Sequence, residues 1–271
     1  MPELPEVETA RIGIASYVLG ECITDVIVRE PRLRWPVPKQ LKKILTGQTV
    51  RKLGRRAKYL LFYTERGCMI LHLGMSGSLR IVAEDVPPEK HDHIDIIFGS
   101  GRYLRLRDPR RFGSIHWTTE DPLQHPLLNR LGPEPLSNGL NGEYLFSKSR
   151  KRKQAIKTFI MDSRIVVGIG NIYANEALFV AGIHPKRRAG NVSAGRYAKL
   201  ADSIKDVLHK ALDKGGTTLR DFVNSEGKPG YFRHDLQVYG RTGEPCPNCK
   251  VIIKSERLGQ RSVFYCPGCQ R

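Results

Sequence analysis

Four cysteines near the C-terminus stand as two C-x2-C pairs, Cys246 with Cys249 and Cys266 with Cys269, sixteen residues apart. Two residues between cysteines let both sulfurs of a turn face one ion, so the set reads as a tetrahedral four-thiolate site for one structural zinc, with no position left for a reactive water. Chemistry belongs to the other end of the chain. Pro2 follows Met1, and removal of the methionine exposes a secondary amine less basic than a lysine side chain. Such an amine can attack a sugar C1′ and form an iminium, an electron sink that acidifies the C2′ proton and permits elimination of phosphate. Glu3 adjoins it and can give or take protons. Lys58 alternates with Leu60 and Phe62 in K-Y-L-L-F-Y, which reads as a partly desolvated strand lysine. Arg261 lies between the two cysteine pairs, where a ribbon turns back and a tip arginine suits a phosphate. His91 and His93 are two apart, but no third ligand is evident and a metal reading is set aside.

Elements must position these groups. Residues 3–19 read as an amphipathic helix, with Val7, Ala10, Ile14 and Val18 near one face, Pro5 in the first turn and Gly20 at the end. From about 22 to 118 the texture is short β-rich runs: 22–28, 58–63, 68–73, 78–83, 93–98 and 102–107. Strands so spaced imply a sandwich or barrel. A Pro-, Gly- and Asn-rich stretch at 119–141 reads as a hinge, after which helices are expected at 143–162, 171–181 and 193–213, with a loop over 214–236. The last 35 residues lack a core of their own and suit a two-stranded zinc ribbon. The fold class is thus α+β multidomain: an N-terminal helix with a β-sandwich over 1–118, a hinge at 119–141, a helical domain over 142–236 and the ribbon over 237–271.

Composition bounds the partner. Against 27 acidic residues the chain carries 45 lysines and arginines, a net +18, which favours a polyanion, nucleic acid first. Six positive charges fall within the eleven residues 147–157, a block suited to a phosphate-facing surface. No run approaches the ~20 apolar residues of a membrane span, and the acidic start M-P-E-L-P-E is unlike a secretory signal, so a cytoplasmic protein is expected. A reducing compartment favours zinc over disulfides for the four paired cysteines. Cys22 and Cys68 read as small core residues.

The string P-E-L-P-E-V-E-T (2–9) resembles the start of the bacterial formamidopyrimidine-DNA glycosylases. The resemblance continues through K-Y-L (58–60), H-L-G-M-S-G (72–77), K-H-D-H-I-D (90–95), D-P-R-R-F-G (108–113), G-I-G-N-I-Y-A-N-E (168–176) and the cysteine ribbon. It implies a bifunctional repair enzyme, expected to be monomeric, acting on double-stranded DNA containing oxidised purines or abasic sites. The lesion is everted, Pro2 forms the Schiff base, Glu3 donates the proton during base loss, Lys58 assists β-elimination and Arg261 δ-elimination. The same resemblance makes Met75, Arg110 and Phe112 the groups that enter the duplex, with Arg110 on the orphaned base. It makes His72, His91, Arg152, Lys157, Asn171 and Tyr239 DNA contacts, Asn171 within the turn of a helix–two-turn–helix module. Arg152 stands where the family often has lysine, which alters the contact geometry there. The segment 217–235 would cap the everted base, and DNA would lie in a basic cleft with the amine at its floor. Two alternatives stand beside this reading. One is the endonuclease VIII type acting on oxidised pyrimidines, against which L-P-E-V at 4–7 argues. The other is a noncatalytic zinc-ribbon DNA-binding protein.

Overall fold

Leu4, Val7, Ala10, Ile14 and Val18 share one face of the first helix, α1 (Leu4–Val18), and are buried. The structure is a computed structural model that describes residues 2–215 and 235–271. Glu3 caps α1, and the Glu6 carboxylate accepts the Glu3 N–H at 2.9 Å, which satisfies a main-chain donor that the first turn leaves open.

Eight strands follow in two antiparallel four-stranded sheets. In the first, β1 (Ile23–Val28) pairs with β6 (Asp92–Phe98), β6 with β7 (Arg102–Arg107), and β7 with β5 (Ser78–Ala83). The second runs β2 (Lys52–Arg56), β3 (Tyr59–Tyr63), β4 (Cys68–His72), β8 (Ser114–Thr118). The α1 face, Ile23 and Val26, Leu60 and Phe62, Met69 and Leu71, Ile94 and Ile96, and Leu104 and Leu106 form one core. Six of these strands match the apolar runs of the sequence. β2 and β8 do not, because K-L-G-R-R and S-I-H-W-T are short and polar, and only pairing with β3 and β4 makes them strands. A short helix α2 (Leu41–Leu45) also has no period long enough to be read. Cys68 is buried as expected, but Cys22 is exposed, since it lies one residue outside β1.

An ion cluster sits inside the first sheet. Asp95 is fully buried and accepts from Arg105 Nε and Nη2 at 2.9 and 3.0 Å and from Arg29 at 2.7 Å. Burial raises the Asp95 carboxyl, but the two guanidiniums outweigh it and hold it below its ordinary value.

The chain divides into two units, one comprising residues up to Asn129 with a return at Lys214–Tyr231, the other Arg130–Asp213 with Phe232–Arg271. The second contains helices α3 (Gly142–Ser149), α4 (Ile156–Ile160), α5 (Asn171–Val180) and α6 (Ala194–Asp213), then a hairpin of β9 (Lys254–Leu258) and β10 (Arg261–Tyr265). The single helix expected at 143–162 is broken into α3 and α4. Lys151 adopts φ 63°, and the main chain of 152–155 pairs with 188–190 instead of continuing i to i−4 bonds. The basic block 147–157 therefore spans a bend and is not one helix face.

Replacing Asp95 with Ala leaves the Arg105 guanidinium, 3% exposed, with Asp92 at 3.8 Å as its nearest acidic partner. The variant is expected to lose about 3–5 kcal/mol of stability, measured from the denaturant midpoint; a loss below about 1 kcal/mol counts against a structural role for the cluster.

Candidate active site and nucleic-acid interface

In the first unit, Pro2 and Glu3 lie at the N-terminal end of α1, both buried, with Glu3 2% exposed. A chain terminus is ordinarily loose; here the buried face of α1 holds it. Lys58 is not on a strand as its alternation suggested. It is the second residue of the two-residue turn joining β2 to β3, after Ala57 at φ 55°, and the left-handed backbone is what a tight hairpin demands. Tyr59, the next residue, pairs across the sheet with His72, their ring centres 4.7 Å apart.

His72 accepts the Gly74 N–H on Nδ1 at 2.9 Å, so its remaining proton sits on Nε2 and the ring is a neutral donor. Burial, then the charges of Lys58, Arg34 and His116, lower its pKa from 6.5 to about 4. A phosphate contact through His72 is therefore a dipolar hydrogen bond, not an ion pair.

The loops 74–77 and 108–113 form one block. Gly74 has φ +66°, and a Cβ there would stand 2.3 Å from the Phe112 carbonyl carbon, so only glycine permits the approach. Asp108, fully buried, accepts from Ser76 Oγ at 2.8 Å and from Gly113 N–H at 2.7 Å, while Ser76 Oγ accepts from Arg110 N–H at 3.2 Å. On this base Met75 and Phe112 project, 37% and 42% exposed. The Arg110 guanidinium lies 4.8 Å over the Phe112 ring. Exposed apolar side chains on a rigid polar base have the form of wedges that enter a base stack. Sequence reasoning singled out Met75 and Phe112, which are exposed here, and missed Ser76 and Asp108; their presence inside the two motifs was the available signal. His91 borders a cavity of about 450 Å³ lined also by Arg29, Lys90, Pro109 and Arg111. His93 lines the same cavity, and its Nε2 lies 2.9 Å from the Asp108 carbonyl.

In the second unit Asn171 is the first residue of α5, after Gly168 at φ 78° in the G-I-G-N turn. Lys157, expected on the DNA surface, is 2% exposed and donates to Asn171 Oδ1 and to the Ser262 carbonyl, each at 2.6 Å. With its oxygen taken by Lys157, the half of the Asn171 amide left for a phosphate is the NH2 donor. Arg152 is exposed on the bend between α3 and α4. The Tyr239 segment is held by Glu176 of α5, whose carboxylate accepts from Gln237, Val238 and Tyr239 N–H at 2.8, 3.0 and 2.8 Å. Burial pushes that carboxyl up, and the three N–H groups pull against it. Glu176 and Asn175 were also missed, although two polar residues in the apolar N-I-Y-A-N-E-A-L-F-V helix were a readable signal. Arg261 opens β10 and is exposed beside a cavity of about 520 Å³ lined also by Met161, Arg164 and Gln260. The segment 217–235, apart from Asp235, lies outside the described residues.

The four ribbon thiols lie within 4.8 Å of one another, with Cys246 to Cys269 at 3.8 Å and Cys249 to Cys266 at 3.3 Å. Tetrahedral zinc with Zn–S of about 2.3 Å needs sulfurs about 3.8 Å apart, so the donor set fits one structural zinc.

The family model for the formamidopyrimidine-DNA glycosylase N-terminal domain matches residues 1–115, that for the H2TH domain 131–223, and that for the zinc finger found in FPG and IleRS 243–271. Formamidopyrimidine-DNA glycosylases of Nitrosococcus oceani and Marinobacter nauticus are each 57% identical, over the full length of both chains. Among solved structures, a Lactococcus lactis FPG mutant in complex with Fapy-dG-containing DNA has a TM-score of 0.93 at 35% identity, covering 100% of both chains. The wild-type Lactococcus lactis protein bound to DNA containing an oxidised pyrimidine has a TM-score of 0.92 at 36% identity, with the same coverage.

Two outcomes test this geometry. His72 is neutral in the fold and binds a proton more readily when unfolded, so its stabilising effect is complete above pH 6.5 and is lost as pH falls toward about 4. Between pH 7 and 4 the parent should lose about 3 kcal/mol more than His72→Gln; parallel stability curves would refute the buried neutral ring. For the ribbon, Cys249→Ser should lower zinc content below one per chain and speed amide exchange across 246–271, whereas full zinc and unchanged exchange would remove that cysteine from the site.

Proposed function

We infer the chemistry from a plain premise: this chain belongs to the formamidopyrimidine-DNA glycosylase family. It is a DNA glycosylase of base-excision repair, and it acts on oxidised purines such as 8-oxoguanine and formamidopyrimidines. The proposal concerns how its residues do this, and whether the strand is then cut.

With Met1 removed, the Pro2 amine attacks C1′ of the everted nucleotide. Its place at the start of α1 supports this role: the positive end of a helix disfavours a further positive charge, so the amine is favoured in its nucleophilic free-base form. Glu3, the adjoining buried carboxyl, donates the proton that leaves with the base. The iminium makes the C2′ proton acidic. Its loss, assisted by Lys58, breaks the C3′–O bond and releases one phosphate; a second elimination, assisted by Arg261, breaks the C5′–O bond and leaves a one-nucleotide gap with phosphate ends. Met75 and Phe112 fill the vacated stack, and Arg110 meets the orphaned base. His72, His91, Arg152, Asn171 and Tyr239 hold the backbone, His72 and Asn171 as neutral donors, while Lys157 acts from beneath by orienting Asn171. Zinc holds the ribbon and takes no part in bond making. The protein works as a cytoplasmic monomer.

The observation that carries this reading is the buried Pro2–Glu3 pair at the head of a helix anchored in the sandwich core. The sister specificity for oxidised pyrimidines is the second reading, since a relative from Lactococcus lactis binds DNA containing one. Borohydride trapping on two duplexes, 8-oxoguanine opposite cytosine and an oxidised pyrimidine, decides both points. An adduct mainly on the purine, at least about 100-fold reduced in Pro2→Gly, is expected. An adduct mainly on the pyrimidine transfers the protein to the sister specificity, and undiminished trapping by the variant would falsify the amine mechanism.

A further inference from the structure

The ribbon hairpin is held to the helices by side chains at one edge. β10 pairs with β9 in the register Arg261–Leu258, Val263–Glu256, Tyr265–Lys254. In a two-stranded ladder, alternate residues turn their main-chain groups away from the partner strand, and such an open edge is normally left to water or another strand. Here the Ser262 carbonyl accepts from Lys157 Nζ at 2.6 Å, and the Phe264 N–H donates to Asn175 Oδ1 at 3.0 Å. The Asn175 amide also donates to the Asn171 carbonyl at 2.6 Å, and Lys157 reaches Asn171 Oδ1. Asn175 and Lys157 are 0% and 2% exposed. The bonds close a ring from Asn171 through Asn175 and Phe264 to Ser262 and Lys157, and back to Asn171.

Arg261 is the residue next to that ring. Its side chain lies 3.9 Å from the Met161 sulfur, a weak contact, so its position is set chiefly by the backbone that carries it. The ribbon core is small, formed by Phe179, Val238, Cys246, Ile253 and Cys266, and offers little to fix the tip where Arg261 stands.

We propose that Asn175 is a positioning residue for strand scission: by standing in for a third strand at the edge of β10, it fixes Arg261 relative to Asn171. The inference rests on the lyase reading above. In the second elimination the C4′ proton passes to a base, the C5′–O bond breaks, and its electron pair leaves with the phosphate. Arg261 must meet that phosphate as its charge develops, and a displacement on the order of 1 Å is enough to slow such a step. Schiff-base formation at Pro2 and the first elimination do not use Arg261 and so do not depend on this seat. Asn175 touches neither substrate nor reacting atoms, and its effect passes through the hairpin.

The test uses full-length, zinc-loaded protein and a duplex with one abasic site. The measured quantities are borohydride-trapped adduct, zinc content and the ratio of β,δ- to β-elimination product. Asn175→Ala should trap within about twofold of the parent and keep one zinc, while the product ratio falls about fivefold or more, the change expected from one lost hydrogen bond to a main-chain group. An unchanged ratio in the zinc-loaded variant overturns the proposal, as does a fall in trapping and both products together, which marks a purely structural role. Should the variant lose zinc, amide exchange in the parent decides. Slow exchange at Phe264, despite its place on the ribbon's outer edge, supports the latch; exchange as fast as an open amide refutes it. A parent that gives no adduct and no strand products removes the lyase reading, and this inference with it.

Discussion

The burial of one face of α1 is the constraint on which the proposed chemistry depends. A nucleophile carried on a chain terminus is useless unless the terminus is held, and termini are usually free. Leu4, Val7, Ala10, Ile14 and Val18 bury that face in the sandwich core. At about 1.5–3 kcal/mol for each large apolar side chain, the anchoring far exceeds the entropy lost by the two residues ahead of the helix. The same packing points the positive end of the helix at Pro2. In the proposed mechanism, one packing arrangement thus serves both the position of the amine and its free-base form.

Polar groups do the corresponding work elsewhere, and they do it in pairs of roles. Asp108 and Ser76 make one block of two loops that are 32 residues apart in the chain, so that Met75 and Phe112 keep their spacing. Lys157, Asn175 and Glu176 fasten the start of α5, the ribbon edge and the Tyr239 segment to one another. A buried polar group is costly unless satisfied and specifies geometry when it is. In each case the satisfied group bonds to a segment that carries a residue proposed to meet DNA, so such short contacts need no large core of their own.

Charge distribution separates attraction from recognition. The net +18 draws in a polyanion without regard to sequence. The groups proposed nearest the phosphates are mixed: Arg152 and Arg261 are charged and exposed, whereas His72 is neutral and Asn171 has its oxygen taken by a buried lysine, which leaves its NH2 as the donor. Neutral donors bind only at hydrogen-bonding distance and angle, which ties backbone contact to one register more tightly than point charges do.

Much of this protein is legible in order along the chain. The zinc ligands, the Met-Pro-Glu start, the glycine-flanked turns that expose Met75 and Phe112, and six of the eight sandwich strands show in the sequence, because each depends on local residue type or a short period. β2 and β8 do not show, since each sets only one or two apolar residues, Leu53 and Ile115 with Trp117, among polar ones, and only their neighbours in the sheet make them strands. The break between α3 and α4 is hidden too, because the pairing of 152–155 with 188–190 competes with helix and is non-local. Lys58 belongs to a turn and not a strand for a similar reason: the β2–β3 register, not the alternation of apolar residues, decides where the hairpin closes. The sequence by itself determined the family and which residue types stand in its motifs, because those are properties of residue identity and order. Only the tertiary structure decided which of them face outward and which hold others in place, Lys157 above all, because burial and hydrogen-bond partners come from residues distant in the chain.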